Sequence, residues 1–219
     1  MKTNMKLTKS ITWVSLSIVI ATVGILAISA PAEPGRSKHH ENGGGNGNRD
    51  RGGYETFVLD VAIDGRTFAP VGLQDIAPEG EAPNYQPVRG TTFLIDGLIL
   101  PGYTLPVGPG VVVDEYSDLS IGSWLCRGHF LHSLVAILND GAFPHAASTQ
   151  QFFFGEDGIV GEDELITEGN EGGATTHRVI SGGTGEFRGM SGEVRQEPLG
   201  ANNTGFGNYR FTFWIKKKG

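Results

Sequence analysis

Apolar and polar residues alternate along much of the chain from position 54 onward. In residues 54–64, Phe57, Leu59, Val61 and Ile63 fall on one face, and Asp60 and Asp64 on the other. A period of two is the signature of an extended strand, whose successive side chains point to opposite sides. Residues 91–100 repeat the pattern: Phe93, Ile95 and Ile99 share a face, and Asp96 projects opposite, between Leu94 and Leu98. Residues 123–138 are a long apolar run, expected to form one strand, or two if the chain bends near Ser133. Residues 149–154 carry Phe152, Phe153 and Phe154, and shorter strands are predicted over 165–168, 178–181 and 192–196. Tyr209, Phe211, Phe213 and Ile215 share one face of a closing strand over 209–215.

No window of ten or more residues has a convincing amphipathic helical pattern, and residues 65–89, broken by Pro and Gly, read as a long loop. Roughly seven or eight strands joined by Gly-rich turns predict an all-β sandwich or barrel. Periodicity alone does not choose between them. Some strands are apolar on both faces, which suits a barrel whose outer wall is also covered, by a partner subunit for example.

Upstream, Lys2, Lys6 and Lys9 precede an apolar run over residues 11–28 that ends in Ser29-Ala30-Pro31-Ala32. A basic start, an apolar middle and a small-residue end predict a secretory signal over residues 1–32, cleaved after Ala32. Cleavage after Ala30 and an uncleaved membrane anchor are the alternatives, because the run is about as long as the shortest bilayer span. Either outcome places the folded part outside the cytoplasm, secreted or extracytoplasmic, with the membrane touched only through this segment. Residues 33–53, rich in Pro, Gly, Asn and charge, predict a flexible linker. The folded domain is therefore expected over residues 54–216.

Composition narrows the function. The formal net charge is -7, and the basic residues are scattered apart from Lys216, Lys217 and Lys218, so nucleic acid is not an expected partner. The 34 glycines fall largely between apolar runs, as all-β turns require. The single cysteine, Cys126, has no disulfide partner and reads as a buried thiol. His39-His40 lack a third fixed ligand, and His129 and His132, three apart on a strand, face opposite ways. The acidic stretches at 156–158 and 162–164 lack the spacing of a calcium loop. No metal and no cofactor is expected. Asn202-Asn203-Thr204 is a formal glycosylation sequon. No nucleophile elbow, P-loop or dinucleotide fingerprint is present.

One element is more specific. Ser181-Gly182-Gly183-Thr184-Gly185-Glu186-Phe187-Arg188-Gly189-Met190-Ser191-Gly192-Glu193-Val194 resembles the Gly-Gly-Thr/Ser-Gly-x-Phe-x-Gly-x-x-Gly element of the allene oxide cyclase and dirigent families. Here Gly182, Gly183, Gly185 and Gly189 are expected to turn the chain, and Phe187 to plug the end of a barrel. Residues 90–103, 121–128, 152–158 and 209–215 are similar in order to the family's other strands. The resemblance implies a single closed antiparallel eight-stranded calycin-like barrel, a homodimer or homotrimer, with a cavity for a small hydrophobic molecule. It implies a cofactor-independent isomerase or cyclase that closes a ring, or a dirigent-like guide of stereoselective coupling. Both act by holding a reactive molecule in one shape.

Cys126 falls in a segment that resembles the family's cysteine-bearing strand. Alternation places Trp124, Cys126, Gly128 and Phe130 on one face, with Arg127 and His129 opposite. The family's early-strand glutamate has no clear match, and Asp60 or Glu55 only approximates its place. The candidate catalytic residues are therefore Asp60, Asp96 and Cys126, and the candidate ligand-binding residues are Trp124, Phe130, Phe93 and Phe152. The alternative reading is a non-catalytic extracellular binding or structural module, since no unambiguous catalytic acid stands out.

Overall fold

A computed structural model describes residues 53–155 and 162–216. The strands are β1 (Tyr54–Val71), β2 (Gln74–Asp75), β3 (Tyr85–Gln86), β4 (Thr92–Pro101), β5 (Gly122–Phe130), β6 (Ala146–Phe154), β7 (Asp163–Glu171), β8 (Thr176–Gly183), β9 (Gly192–Ala201) and β10 (Gly207–Lys216). Eight of them close a barrel in the order β1-β10-β9-β8-β7-β6-β5-β4, with β4 returning to β1. Each described pairing within the barrel is antiparallel. Closure removes the unpaired sheet edges that an open sandwich would retain. The predicted signal over 1–32, all of the linker but Gly53, the acidic residues 156–158 and Lys217 and Lys218 lie outside the described residues.

The alternation read from the sequence sorts inner from outer wall. Val61, Ile99, Trp124, Phe152, Leu165, Val194, Phe211 and Phe213 point inward and are almost wholly buried. Phe152 meets Phe211 and Phe213 edge-on, with ring centroids 5.2 Å away in each case. Burying each such side chain contributes about 1.5–3 kcal/mol, so this aromatic layer is a main source of stability.

One end of the barrel is plugged. Gly185 and Gly189 adopt the left-handed φ values of 50° and 69°, which a residue with a Cβ enters only at a cost. The turn they bracket delivers Phe187 to 4.9 Å from Phe154 and 6.5 Å from Phe57, between ring centroids. Gly183 lies too close to the Glu164 carbonyl and to Phe187 for any side chain. Gly182 is different from the expectation: it is extended and has open space around its Cα, so nothing in the turn requires glycine there. Tyr54 pairs with Lys216 at this plugged end.

Part of the outer wall is covered by the chain itself. Residues 102–121 run as a strap outside the barrel, and Leu105, Val111 and Val113 bury against Ala62, Leu100 and Leu199. Here the second apolar face needs no partner subunit.

Two local expectations are corrected. Residues 65–89 are not one loop: β1 continues to Val71, and β2 pairs with β3. The alternation was hidden because β1 bulges between Asp64 and Ala69, where the Thr67 hydroxyl accepts the Asp96 amide at 2.8 Å in place of a ladder bond. The run over 123–138 ends as strand at Phe130. Ser133 then caps a seven-residue helix, α1 (Leu134–Asp140), its hydroxyl accepting from the Ala136 amide at 3.2 Å.

Candidate functional site

The residues singled out in the sequence divide between the two walls. Trp124, Cys126 and Phe152 lie on the inner wall and are buried. Phe93 and Phe130 stand at the rim opposite the plugged end, partly buried, with centroids 5.4 Å apart. Gly128 makes room there, since a Cβ on it would meet the Phe93 ring at 2.9 Å. Asp60 and Asp96 point outward. Asp96 is exposed, and its carboxyl is held above its ordinary pKa by partial burial and then by the charge of Asp64. Asp60 is fully buried beneath the strap, where Arg210 donates to it from Nε at 2.8 Å and Nη2 at 3.0 Å, and the Leu105 amide at 2.8 Å. These two carboxylates therefore sit across the wall from Cys126 and Trp124, because each shares a strand parity with outward residues.

The middle of the barrel is filled by Phe152, Phe211, Phe213 and their neighbours. Two described concavities, of about 320 and about 560 Å³, open on the outer wall. The first is bordered by Arg127, His129, Thr149 and Glu168, the second by Tyr54, His177, Glu193 and Trp214.

The rim carries a polar cluster that the sequence reading did not find. Its centre is Glu171, the last residue of β7. One carboxylate oxygen, Oε1, accepts from Ser148 Oγ at 2.5 Å, from Gln150 Nε2 at 2.9 Å and from Cys126 Sγ at 3.1 Å. Arg178 Nη1 lies 3.6 Å from the same oxygen. Arg178 is buried and is held by Ser148 O at 2.9 Å, Ser148 Oγ at 3.0 Å and Thr167 Oγ1 at 3.3 Å. Gly169 leaves space for it, as a Cβ there would meet the Arg178 side chain at 3.0 Å. Gln150 extends the network to Gln196 at 3.0 Å.

Among the described hydrogen bonds none reaches Oε2 of Glu171, and 18% of that side chain is exposed. A carboxylate has about four acceptor positions, so a part of this one is unused, on a side chain that stands at the rim end of β7. Phe68, Phe206 and Tyr209 are partly buried aromatics packed against the inner core, and Phe68 stands 5.2 Å from Phe206 and 6.1 Å from Phe93 between centroids.

The cluster sets the chemistry of its members. Burial, then the charge of Glu171, pushes the Cys126 thiol well above its usual range, which makes it a donor rather than a nucleophilic thiolate. The same two causes raise the Tyr209 phenol. Burial lowers His145, whose amide donates to the Glu171 carbonyl at 2.8 Å. Among the described residues, three buried side-chain atoms have no hydrogen-bond partner: Trp124 Nε1 and Thr176 Oγ1 on the inner wall, and Asn208 Nδ2. Among the described residues no group of three or more His, Cys, Asp or Glu is arranged to hold a metal ion. Asn202, the acceptor of the formal sequon, is buried, and its Nδ2 donates to Ile63 O and Asn208 Oδ1, so the folded protein offers no glycosylation site there.

The missed residues had a weak signal. Carrying the inward parity of Leu165 forward gives Thr167, Gly169 and Glu171, and carrying that of Phe152 backward gives Gln150 and Ser148. These positions are polar, so hydrophobic alternation stops where the inner wall becomes a site.

No family model matches this sequence, and no curated protein does. Solved structures do. A pterocarpan synthase dirigent protein, PsPTS1, aligns with a TM-score of 0.50 and 16% identity, over 76% of this chain and 97% of its own. A second, GePTS1, aligns at 0.47 and 17%, over 76% and 86%. A pyocyanin demethylase aligns at 0.43 and 13%, over 74% and 99%. At these identities the likeness concerns architecture: this chain has the barrel fold of the dirigent proteins.

Proposed function

We propose that this is an exported barrel that binds a small hydrophobic molecule at its rim and guides that molecule's cyclisation or stereoselective coupling. The observation that carries this reading is Glu171, with one oxygen saturated and the other free at an aromatic rim. The apolar part of the ligand rests against Phe93, Phe130 and their neighbours, and a hydroxyl donates to Oε2. Ser148, Gln150 and Arg178 hold the carboxylate in one orientation. Fixing the ligand in this way removes part of the entropic barrier to ring closure or coupling. Cys126 supports the carboxylate from below as a neutral donor. Allene oxide cyclase chemistry would then use a carboxylate on β7 in place of an early-strand one.

The packed middle favours a second reading, a non-catalytic binding or structural module, because a deep enclosed cavity is what a cyclase would use. Native mass spectrometry after incubation with phenolic or lipid extracts tests the rim binding on which the first reading depends and which a purely structural module lacks. A retained small mass that disappears in Glu171→Gln supports the first reading. No retained mass in either protein removes it. The same spectra report whether the chain is a homodimer or homotrimer, which the exposed outer-wall residues Tyr54, Leu94 and Val179 favour. Export is tested by sequencing the mature N-terminus, and a start at Met1 would defeat cleavage after Ala32.

A further inference from the structure

We infer that Thr176, facing Glu171 across the rim, is the ligand's second polar contact, and that the ligand carries two oxygens on adjacent carbons, at least one of them a hydroxyl. The inference rests on the rim-binding reading above and adds a residue and a ligand class to it. Thr167 pairs with Ile180 and Glu168 with Val179 across β7 and β8. Continuing that antiparallel register sets Glu171 opposite Thr176. Thr176 shares its inward parity with Arg178 and Ile180, and it is buried. Among the described residues its hydroxyl has no hydrogen-bond partner. Buried polar groups are nearly always satisfied, so an unpaired hydroxyl beside a half-used carboxylate marks a place for something that hydrogen-bonds to both.

The chemistry of the pair limits the occupant. Glu171 Oε2 only accepts, so it takes a ligand hydroxyl. Thr176 Oγ1 donates or accepts, so it takes a hydroxyl or a carbonyl. Cross-strand neighbours hold their Cβ atoms about 5 Å apart, so both contacts converge on one end of a small molecule. An anionic ligand is disfavoured: it would face Glu171, while the guanidinium of Arg178 is directed to Ser148, Thr167 and the Asn170 carbonyl. A neutral 1,2-diol, an α-hydroxy ketone or an aromatic ring with neighbouring oxygens fits.

Catechol and hydroquinone share one formula and differ in oxygen spacing, so they isolate this feature. In anaerobic calorimetric titrations of the full chain, catechol should bind at least tenfold more tightly than hydroquinone. Thr176→Val, which keeps the β-branched shape, should bring catechol down to the hydroquinone level, and Thr176→Ser should restore the preference. Equal affinities in the wild type, no binding of catechol, or a preference that survives Thr176→Val would overturn the inference. The rim reading is measured separately with the neutral fluorophore N-phenyl-1-naphthylamine. If the fluorophore binds the wild type and is weakened by Phe130→Ser, the rim holds apolar molecules even when the catechol preference fails. No fluorophore binding removes the rim reading as well.

Discussion

Asp60 and Glu171 are both carboxylates beside an arginine, yet they are built for different ends. Asp60 uses both oxygens, one for Arg210 Nε and the other for Arg210 Nη2 and the Leu105 amide, and it is fully buried beneath the strap. Arg210 is itself covered by the Tyr103 ring, 4.4 Å from its guanidinium carbon. Both oxygens are engaged and neither is exposed to meet a ligand. Glu171 gathers three donors on a single oxygen and leaves the second one open at the rim. A saturated carboxylate fastens a structure, whereas a half-saturated one keeps capacity for a visitor. An arginine neighbour and the number of hydrogen bonds, three in each case, do not tell them apart; the distribution of the donors over the two oxygens does, together with exposure.

Substitutions test this contrast. Asp60→Ala should have the largest effect, a loss of about 3–5 kcal/mol in urea unfolding, because it leaves a largely buried guanidinium unpaired and frees the strap. Ligand retention at the rim should survive it under conditions where the variant is folded. Glu171→Gln should cost less stability, on the order of 1–2 kcal/mol, since an amide oxygen still accepts from Ser148 and Gln150. Its larger effect should be a loss of tenfold or more in ligand affinity, read by calorimetry. If the two variants lose stability equally and both keep the ligand, the contrast fails.

Smaller effects follow from titration. Cys126 should react with a thiol reagent at pH 8 far more slowly in the native protein than in urea, and faster in Glu171→Gln than in the wild type, as the carboxylate no longer opposes thiolate formation. Its folded pKa lies above the ordinary 9.0, so the stability it contributes is fully present below that pH and is lost as pH climbs toward the folded value. The smallest effect belongs to the exposed Arg66 cluster. Arg66 holds Asp64 and Asp114 below their ordinary 3.8, so their contribution is present above pH 3.8 and fades as pH falls through the lowered values. Arg66→Gln should flatten that acid limb in a thermal-melt series.

The barrel strands were legible because each buries one face, which imposes a period of two on Phe57 to Ile63 and again on Tyr209 to Ile215. Closure was not legible from the period, since a sandwich alternates in the same way; the Gly-rich element ending in the Phe187 plug pointed to it through resemblance. The extension of β1 was obscured by a bulge, and α1 is too short to register a helical period. The rim site escaped for a physical reason. Alternation reports apolar burial, and Ser148, Gln150, Thr167 and Glu171 are inward residues that are polar. Asp60 and Asp96 stood out in the sequence because they interrupt apolar runs, but an interruption marks a change of wall as readily as a site.

The pairing of Tyr54 with Lys216 has a practical consequence. Both ends of the described chain leave the barrel on the side stoppered by Phe187, and the ten-residue β10 runs from that side to the Glu171 side over roughly 30 Å of strand at about 3.3 Å per residue. A passenger protein, a resin bead or a lipid surface joined directly at Tyr54 or Lys216 would thus sit behind the barrel and leave the opposite entrance clear.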